Sequence, residues 1–260
     1  MIQNQPPDMK GLLCFKCNKP ATLWRTHQSP ILPWCFSCWY NNLGREETIM
    51  YENTKMFKQS DLFAKDIIVL DLEIQDPITE PHQWNETDKI RISVCVVYNF
   101  KDGTYSIYGE KDLVRLQTRV NMADLIVTFN GNNFDLPIIF KMPEKRLPEG
   151  MEKRSFDILA EIWKAQGLDP KTFTGEHRGY SLSNVAKGTV GRGKIDQGEN
   201  AVYLFRAGDW CNLINYCIDD VYLTKSIFNI IVAESYINVY RYGKTVKVQF
   251  DYVKRDIYEK

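Results

Sequence analysis

Residues 66–74 read DIIVLDLEI. The apolar, β-branched run predicts a strand, and it carries acids at Asp71 and Glu73. Side chains alternate across a strand, so two acids two residues apart share one face. Carboxylates side by side in an apolar strand repel each other, and a divalent cation relieves that repulsion. An edge strand whose acids face solvent explains the same pattern. The strand alone leaves the two readings level.

Working outward from this strand, residues 89–100, KIRISVCVVYNF, predict a second strand. Lys101-Asp102-Gly103-Thr104 turns the chain into TYSIYG, giving a hairpin or meander. Leu113, Leu116 and Val120 fall at helical spacing within residues 110–123. Residues 124–130, DLIVTFN, predict another strand, followed by FDLPII. Residues 155–166 and 181–190 read as helices, and 208–234 as a long helical pattern with room for one break. Residues 237–253 alternate around Tyr242-Gly243-Lys244, as a terminal hairpin does. Early strands with interleaved helices predict an α/β domain with a mixed sheet.

The 260 residues balance 33 Lys and Arg against 33 Asp and Glu. That balance excludes a scaffold that coats nucleic acid by charge alone, but not an enzyme that meets it at one site. The charge is an average, because residues 1–60 hold seven basic and four acidic side chains. Apolar residues at 44% and aromatics at 13% match a globular chain, not a disordered one. No apolar run is long enough to span a membrane. The start, MIQNQPPDMKG, lacks a basic-then-apolar pattern, so no signal peptide is expected and the location is cytoplasmic or nucleoid-associated.

In a reducing compartment cysteines more often bind metal than form disulfides. Cys14, Cys17, Cys35 and Cys38 form two Cys-x2-Cys pairs, a spacing in the zinc-ribbon range. Four thiolates from two tight turns suit one structural, tetrahedral Zn²⁺, which would replace the core that so short a segment lacks. His27 lies between the pairs and reads as a surface residue. Trp24, Trp34, Phe36, Trp39 and Tyr40 crowd the segment, as a small core around the zinc or as a stacking surface for bases. The expected order is a flexible lead at 1–10, a zinc module at 11–45, a connector at 46–62, the main domain at 63–236, and a hairpin or extension at 237–260. The remaining Cys95, Cys211 and Cys217 lie in apolar or helical contexts.

Two further acidic features follow. Asn130-Gly131-Asn132-Asn133-Phe134-Asp135 makes a sharp turn after an apolar strand. Asp135 then starts the next element, as a functional group at a strand end or as an N-cap. In Tyr216-Cys217-Ile218-Asp219-Asp220, the phenol and the carboxylate of Asp220 are four apart on a helix and share a face. Asp219, three from Tyr216, shares it nearly as well.

Asp-x-Glu in a first strand, Asn-Gly-x-x-Phe-Asp after a later one, and Tyr-x3-Asp on a late helix together resemble the DEDD family of 3′→5′ exonucleases, in its tyrosine branch. The resemblance covers about residues 66–234 and implies a ribonuclease-H-like fold. It implies Asp71, Glu73, Asp135 and Asp220 as carboxylate ligands of two Mg²⁺ or Mn²⁺ ions. Tyr216 would orient or help deprotonate the attacking water. Motif spacing selects Asp220 over Asp219, and Asp157 reads as an N-cap or a support for the site. Asn130, Phe134, Lys187, Arg192 and Lys194 are candidate substrate contacts, the last three within AKGTVGRGK. There the glycines would let backbone approach phosphates. The expected partner is nucleic acid with a free, single-stranded 3′ end, DNA favoured. A polymerase or another replication or repair protein would act in trans. The rival readings are an RNA-trimming exonuclease, a ribonuclease-H-like endonuclease, and an inactive zinc-ribbon adaptor.

Overall fold

The computed structural model of the chain describes residues 65–193 and 199–250, together with a two-rung antiparallel pairing of Leu23–Trp24 with Pro33–Trp34. The four zinc-module cysteines, Lys194, the lead and the connector lie outside the described residues.

The central strand β1 (Ile67–Ile74) is the one anticipated from DIIVLDLEI. It pairs antiparallel with β2 (Ile92–Asn99), which pairs antiparallel with β3 (Thr104–Tyr108). On its other side β1 runs parallel to β4 (Leu125–Thr128), and β4 parallel to β5 (Ser155–Asp157). The sheet order is therefore β3-β2-β1-β4-β5, the mixed sheet expected. A strand in mid-sheet is covered on both faces, so it needs apolar residues at every position. Ile67 to Leu70 are accordingly at most 1% exposed.

The two faces of β1 lead into two cores. Ile68, Leu70 and Leu72 join Leu116 and Val120 of α1 (Leu113–Met122) and Leu136 and Ile138 of α2 (Asp135–Ile139). Ile67 and Val69 join the larger cluster with α3 (Ile158–Ala165), α4 (Leu182–Thr189) and α6 (Trp210–Glu234). Period two thus sends Asp71 and Glu73 to the α6 face. Arg119 of α1 ties the start of β1 to the end of β2, through both carboxylate oxygens of Asp66 (2.9 and 2.6 Å) and Oδ1 of Asn99 (2.8 Å).

Helix α6 runs unbroken for 25 residues, so the break allowed for in the sequence does not occur. A separate helix, α5 (Glu199–Arg206), precedes it. The closing hairpin pairs β6 (Tyr236–Arg241) with β7 (Lys244–Gln249). Its two turn residues, Tyr242 and Gly243, have φ of 48° and 78°, the double positive φ of a type I′ turn. Ile237, Val239 and Val248 of the hairpin are buried in the larger core. A Cβ on Gly188 would lie 2.4 Å from the carbonyl oxygen of Asn238, so this glycine lets α4 lie against β6. Packing therefore accounts for one of the glycines that the sequence offers for phosphate approach.

Lys225 of α6 projects over the ring of Tyr98 (4.3 Å), with Tyr222 at 5.3 Å and Tyr105 at 5.8 Å. Burial pushes its ammonium down from 10.5 to about 8. The unfolded chain then holds the proton more tightly than the folded one, so stability gained at this site grows as pH rises from about 8 toward 10.5. Urea unfolding across that window is expected to show wild type gaining on Lys225→Met as pH increases. Parallel profiles for the two proteins would refute the assignment.

Candidate active site

Strand β4 pairs with β1 only as far as Val69 opposite Val127. Beyond that point β1 continues without this neighbour, and the N–H of Leu72 donates instead to Oδ1 of Asp135 (3.0 Å). Leu72 stands between Asp71 and Glu73. Asp135, 4% exposed and first in α2, is therefore held against the strand that carries the other two acids.

The fourth acid arrives from α6. Carboxylate oxygens of Asp71, Glu73 and Asp220, one from each, lie within 4.8 Å of one another. Asp220 is buried and the other two are half-buried. Three hard, anionic oxygens at this spacing fit a divalent cation such as Mg²⁺ or Mn²⁺. Asp219 faces elsewhere and pairs with Arg192, so the phase of α6 separates two neighbours that the sequence leaves nearly equivalent. Tyr216 is half-buried against the larger core, one turn before Asp220.

Cys217, read from sequence only as a helical cysteine, is a neighbour of this cluster. Its Sγ lies 3.2 Å from the carbonyl oxygen of Asp71 and 3.8 Å from Oδ2. Burial pushes its thiol well up, reinforced by Asp71, Glu73 and Asp220, so it stays protonated and donates. Cys95, on the strand next to Leu72, is pushed up by burial and by Asp135 and Asp71.

The Asn-Gly turn is organised from below by Asp157. Its Oδ1 accepts from Asn130 N (2.8 Å), Leu159 N (3.1 Å) and Ala160 N (3.4 Å), and its Oδ2 from Asn132 N (3.0 Å). It is thus the N-cap of α3 and the anchor of the turn at once. Burial raises its carboxyl, opposed by those four donors. Asn130 takes a φ of 68°, and its Oδ1 accepts from Asn133 Nδ2 (3.3 Å). A Cβ on Gly131 would lie 2.4 Å from Cβ of Thr128, so the turn folds tightly on β4.

The remaining candidates are spread out. Phe134 is half-buried, its ring 5.8 Å from Trp84, a residue that sequence reasoning passed over. Lys187 sits over the ring of Tyr240 (3.8 Å) on the hairpin. Just past β1, Asp76 bridges Arg91 (2.8 Å) and Arg206 (3.3 Å), and Arg91 leads in holding its carboxyl low. This group of one acid and two arginines also gave no sequence signal, because its three members are far apart along the chain.

A family model described as RNase_H superfamily matches residues 86–232, more than half of the chain. The chain belongs to the RNase_H superfamily. The matched span of this RNase_H-superfamily protein holds Asp135, Tyr216 and Asp220, while Asp71 and Glu73 lie before it. A curated relative, DNA polymerase 1 of Aeropyrum pernix, is 28% identical over an alignment of 142 residues, covering 46% of this chain. The chain spans only 14% of that relative's length. Among solved structures, the family B DNA polymerase from the hyperthermophilic archaeon Pyrobaculum calidifontis is similar over 64% of this chain and 24% of its own. That likeness has a TM-score of 0.46 at 16% identity. No helix among the described residues is long and apolar enough to cross a membrane.

Asp157→Ala removes all four acceptor contacts and is expected to cost about 2–4 kcal/mol in chemical denaturation. Asp157→Asn keeps the oxygen that serves three of the donors and drops a charge that burial opposes. Its loss should be less than half as large, and equal losses would show that the charge, not the acceptor, holds the turn.

Proposed function

We propose that this chain is a metal-dependent 3′→5′ exonuclease of the tyrosine branch of the DEDD family, acting on single-stranded 3′ ends, with DNA favoured over RNA. The observation that carries the reading is the convergence of Asp71, Glu73 and Asp220 within 4.8 Å, with Asp135 bonded to the backbone between the first two. Membership of the RNase_H superfamily supports a nuclease, and a relative named DNA polymerase 1 supports DNA as substrate. An inactive adaptor would have no need to keep like charges packed together at a cost in stability.

Asp71, Glu73, Asp135 and Asp220 would hold two Mg²⁺ or Mn²⁺ ions. When bound, such ions neutralise phosphate charge and activate water for in-line attack. Tyr216 orients that water from the turn of α6 before Asp220, and Cys217, a neutral donor, holds the backbone and side chain of Asp71. Arg192, paired with Asp219, would serve as a phosphate contact, and Asn130 and Phe134 as further substrate contacts. Lys187 and Lys194 extend the basic segment. Cys14, Cys17, Cys35 and Cys38 would hold one structural Zn²⁺ in a module that recruits single strands or a polymerase acting in trans.

Digestion of 5′-labelled single- and double-stranded DNA and RNA tests the reading. A ladder that shortens from the 3′ end is expected with Mg²⁺, and none with EDTA or with Asp71→Ala. A blocked 3′ terminus should stop the reaction, whereas cleavage of a blocked strand would mark an endonuclease. No metal-dependent product on any of the four substrates would overturn the assignment. In saturating Mg²⁺, Asp71→Asn should lower kcat roughly a thousandfold, and Tyr216→Phe by roughly ten- to a hundredfold. Equal losses would contradict the separate roles.

A further inference from the structure

We propose that the closing hairpin, together with the end of α4, is a second nucleic-acid contact: a basic track that holds the phosphate backbone of a single strand upstream of the 3′ nucleotide being removed. The inference rests on the nuclease reading above and adds to it a binding surface on a hairpin that lies beyond the span matched to the family. Residues 177–193 and 236–250 hold three basic side chains each and no acid, in a chain whose charges balance overall. The flanking acids Glu176 and Glu234 stand just before these stretches. The fold packs the two stretches together. Gly188 lies against the backbone of β6, and the hydroxyl of Thr189 donates to the carbonyl of Asn238 (2.7 Å). Two acid-free stretches that are distant in sequence thus make one positive surface.

Period two turns Ile237, Val239 and Val248 into the core, so Tyr236, Tyr240 and Lys247 share the outer face of the hairpin. Two ammonium groups stand over rings of that face. Lys247 Nζ lies 3.8 Å from the ring of Tyr236, and Lys187 Nζ 3.8 Å from the ring of Tyr240. A ring beneath an ammonium steadies its long stem without consuming its N–H donors. Among the described residues no carboxylate pairs with Lys187, Lys244 or Lys247. The hairpin tip is fixed as well. Arg241 lies over the rings of Tyr180 (4.4 Å) and Tyr242 (5.0 Å) and donates to the carbonyls of Arg178 (2.9 Å) and Glu176 (2.6 Å). Lysines on an edge strand also deter strand pairing. That accounts for Lys244 and Lys247 on β7, but not for Lys187 on a helix or for the missing acids. Steadied ammonium groups on an acid-free surface match a phosphate backbone, which is anionic whatever its sequence. The track also leads to the site. Arg192, just past α4, pairs with Asp219, the neighbour of Asp220. The Cα atoms of Lys187 and Arg192, five positions apart, are separated by at most about 18 Å. A strand whose 3′ end lies at the acids thus meets the lysines with its upstream phosphates.

The test compares the unmodified chain with the double variant Lys244→Ala, Lys247→Ala, on a long 5′-labelled single-stranded DNA of about twenty nucleotides and on a trinucleotide. Binding is read by fluorescence anisotropy in an Asp71→Asn background with Mg²⁺, and hydrolysis in the chain that keeps Asp71. Both lysines are exposed, so the double variant is expected to keep its melting temperature. It should bind the long strand roughly tenfold more weakly. Its plot of log K against log salt should lose about 1.4 from its slope, roughly 0.7 for each phosphate contact removed. Hydrolysis of the long strand should show a raised KM with kcat kept, and the trinucleotide, too short to reach the hairpin, should be cut as before. Lys244→Arg, Lys247→Arg should restore affinity and slope together. Unchanged affinity for the long strand, the result if the hairpin serves an acidic protein instead, overturns the track and leaves the nuclease reading standing. Equal losses on both lengths, which a merely structural role would give, do the same. Absence of hydrolysis of either length by the unmodified chain overturns the nuclease reading, and with it the placement of the track upstream of a cleaved end.

Discussion

One backbone N–H organises the centre of this molecule. A central strand that outruns its parallel neighbour leaves a ladder donor without a backbone acceptor, and a buried donor left unpaired is costly. At Leu72 the missing acceptor is the carboxylate of Asp135. A hydrogen bond to a charged group contributes about 1.5–3 kcal/mol, so the bond is a structural element in its own right. It fixes the start of α2 against β1, and with it the Asn-Gly turn that Asp157 supports from the other side. The sheet edge, the turn and the acids are consequently one construction. The carboxylate that completes the ladder is held against the backbone between Asp71 and Glu73.

Asp71 and Glu73, half-buried, converge with the buried Asp220, and a protonated thiol at Cys217 is a neutral neighbour. Anything cationic that binds the folded cluster and not the unfolded chain stabilises the fold by linkage. Among the arginines, Arg192 is matched to Asp219, and Arg91 and Arg206 to Asp76, just past the end of β1.

Much of this was legible in the sequence, for physical reasons. The run at 67–70 is apolar at every position because the strand is covered on both faces, and the acids at 71 and 73 break the run where β4 has already left. The hairpin at Tyr242-Gly243 announced itself through the glycine that a positive φ favours. Other features depend on phase or distance, which a string of letters does not carry. Asp219 and Asp220 differ by about 100° around a helix, and only packing against β1 decides which points inward. Cys217 looks like any apolar helix residue until β1 is placed beside it. Trp84 sits in a turn too short to show periodicity, and its partner Phe134 is fifty residues further along the chain. The glycine-rich segment at 186–194 was read for phosphates, whereas Gly188 is required by the close passage of a strand.

The closeness of Cys217 to Asp71 has a consequence for the life of the chain during synthesis. The two residues are 146 positions apart, and Asp220 lies further on still. A growing polypeptide that has emerged through β1, the meander and α2 holds three of the four acids and most of one core, yet no cluster. The cluster comes into being only when α6 docks across the sheet. The acidic cluster is thus withheld by connectivity itself: a fragment released early, or a chain stalled before α6, carries Asp71, Glu73 and Asp135 without the acid from α6.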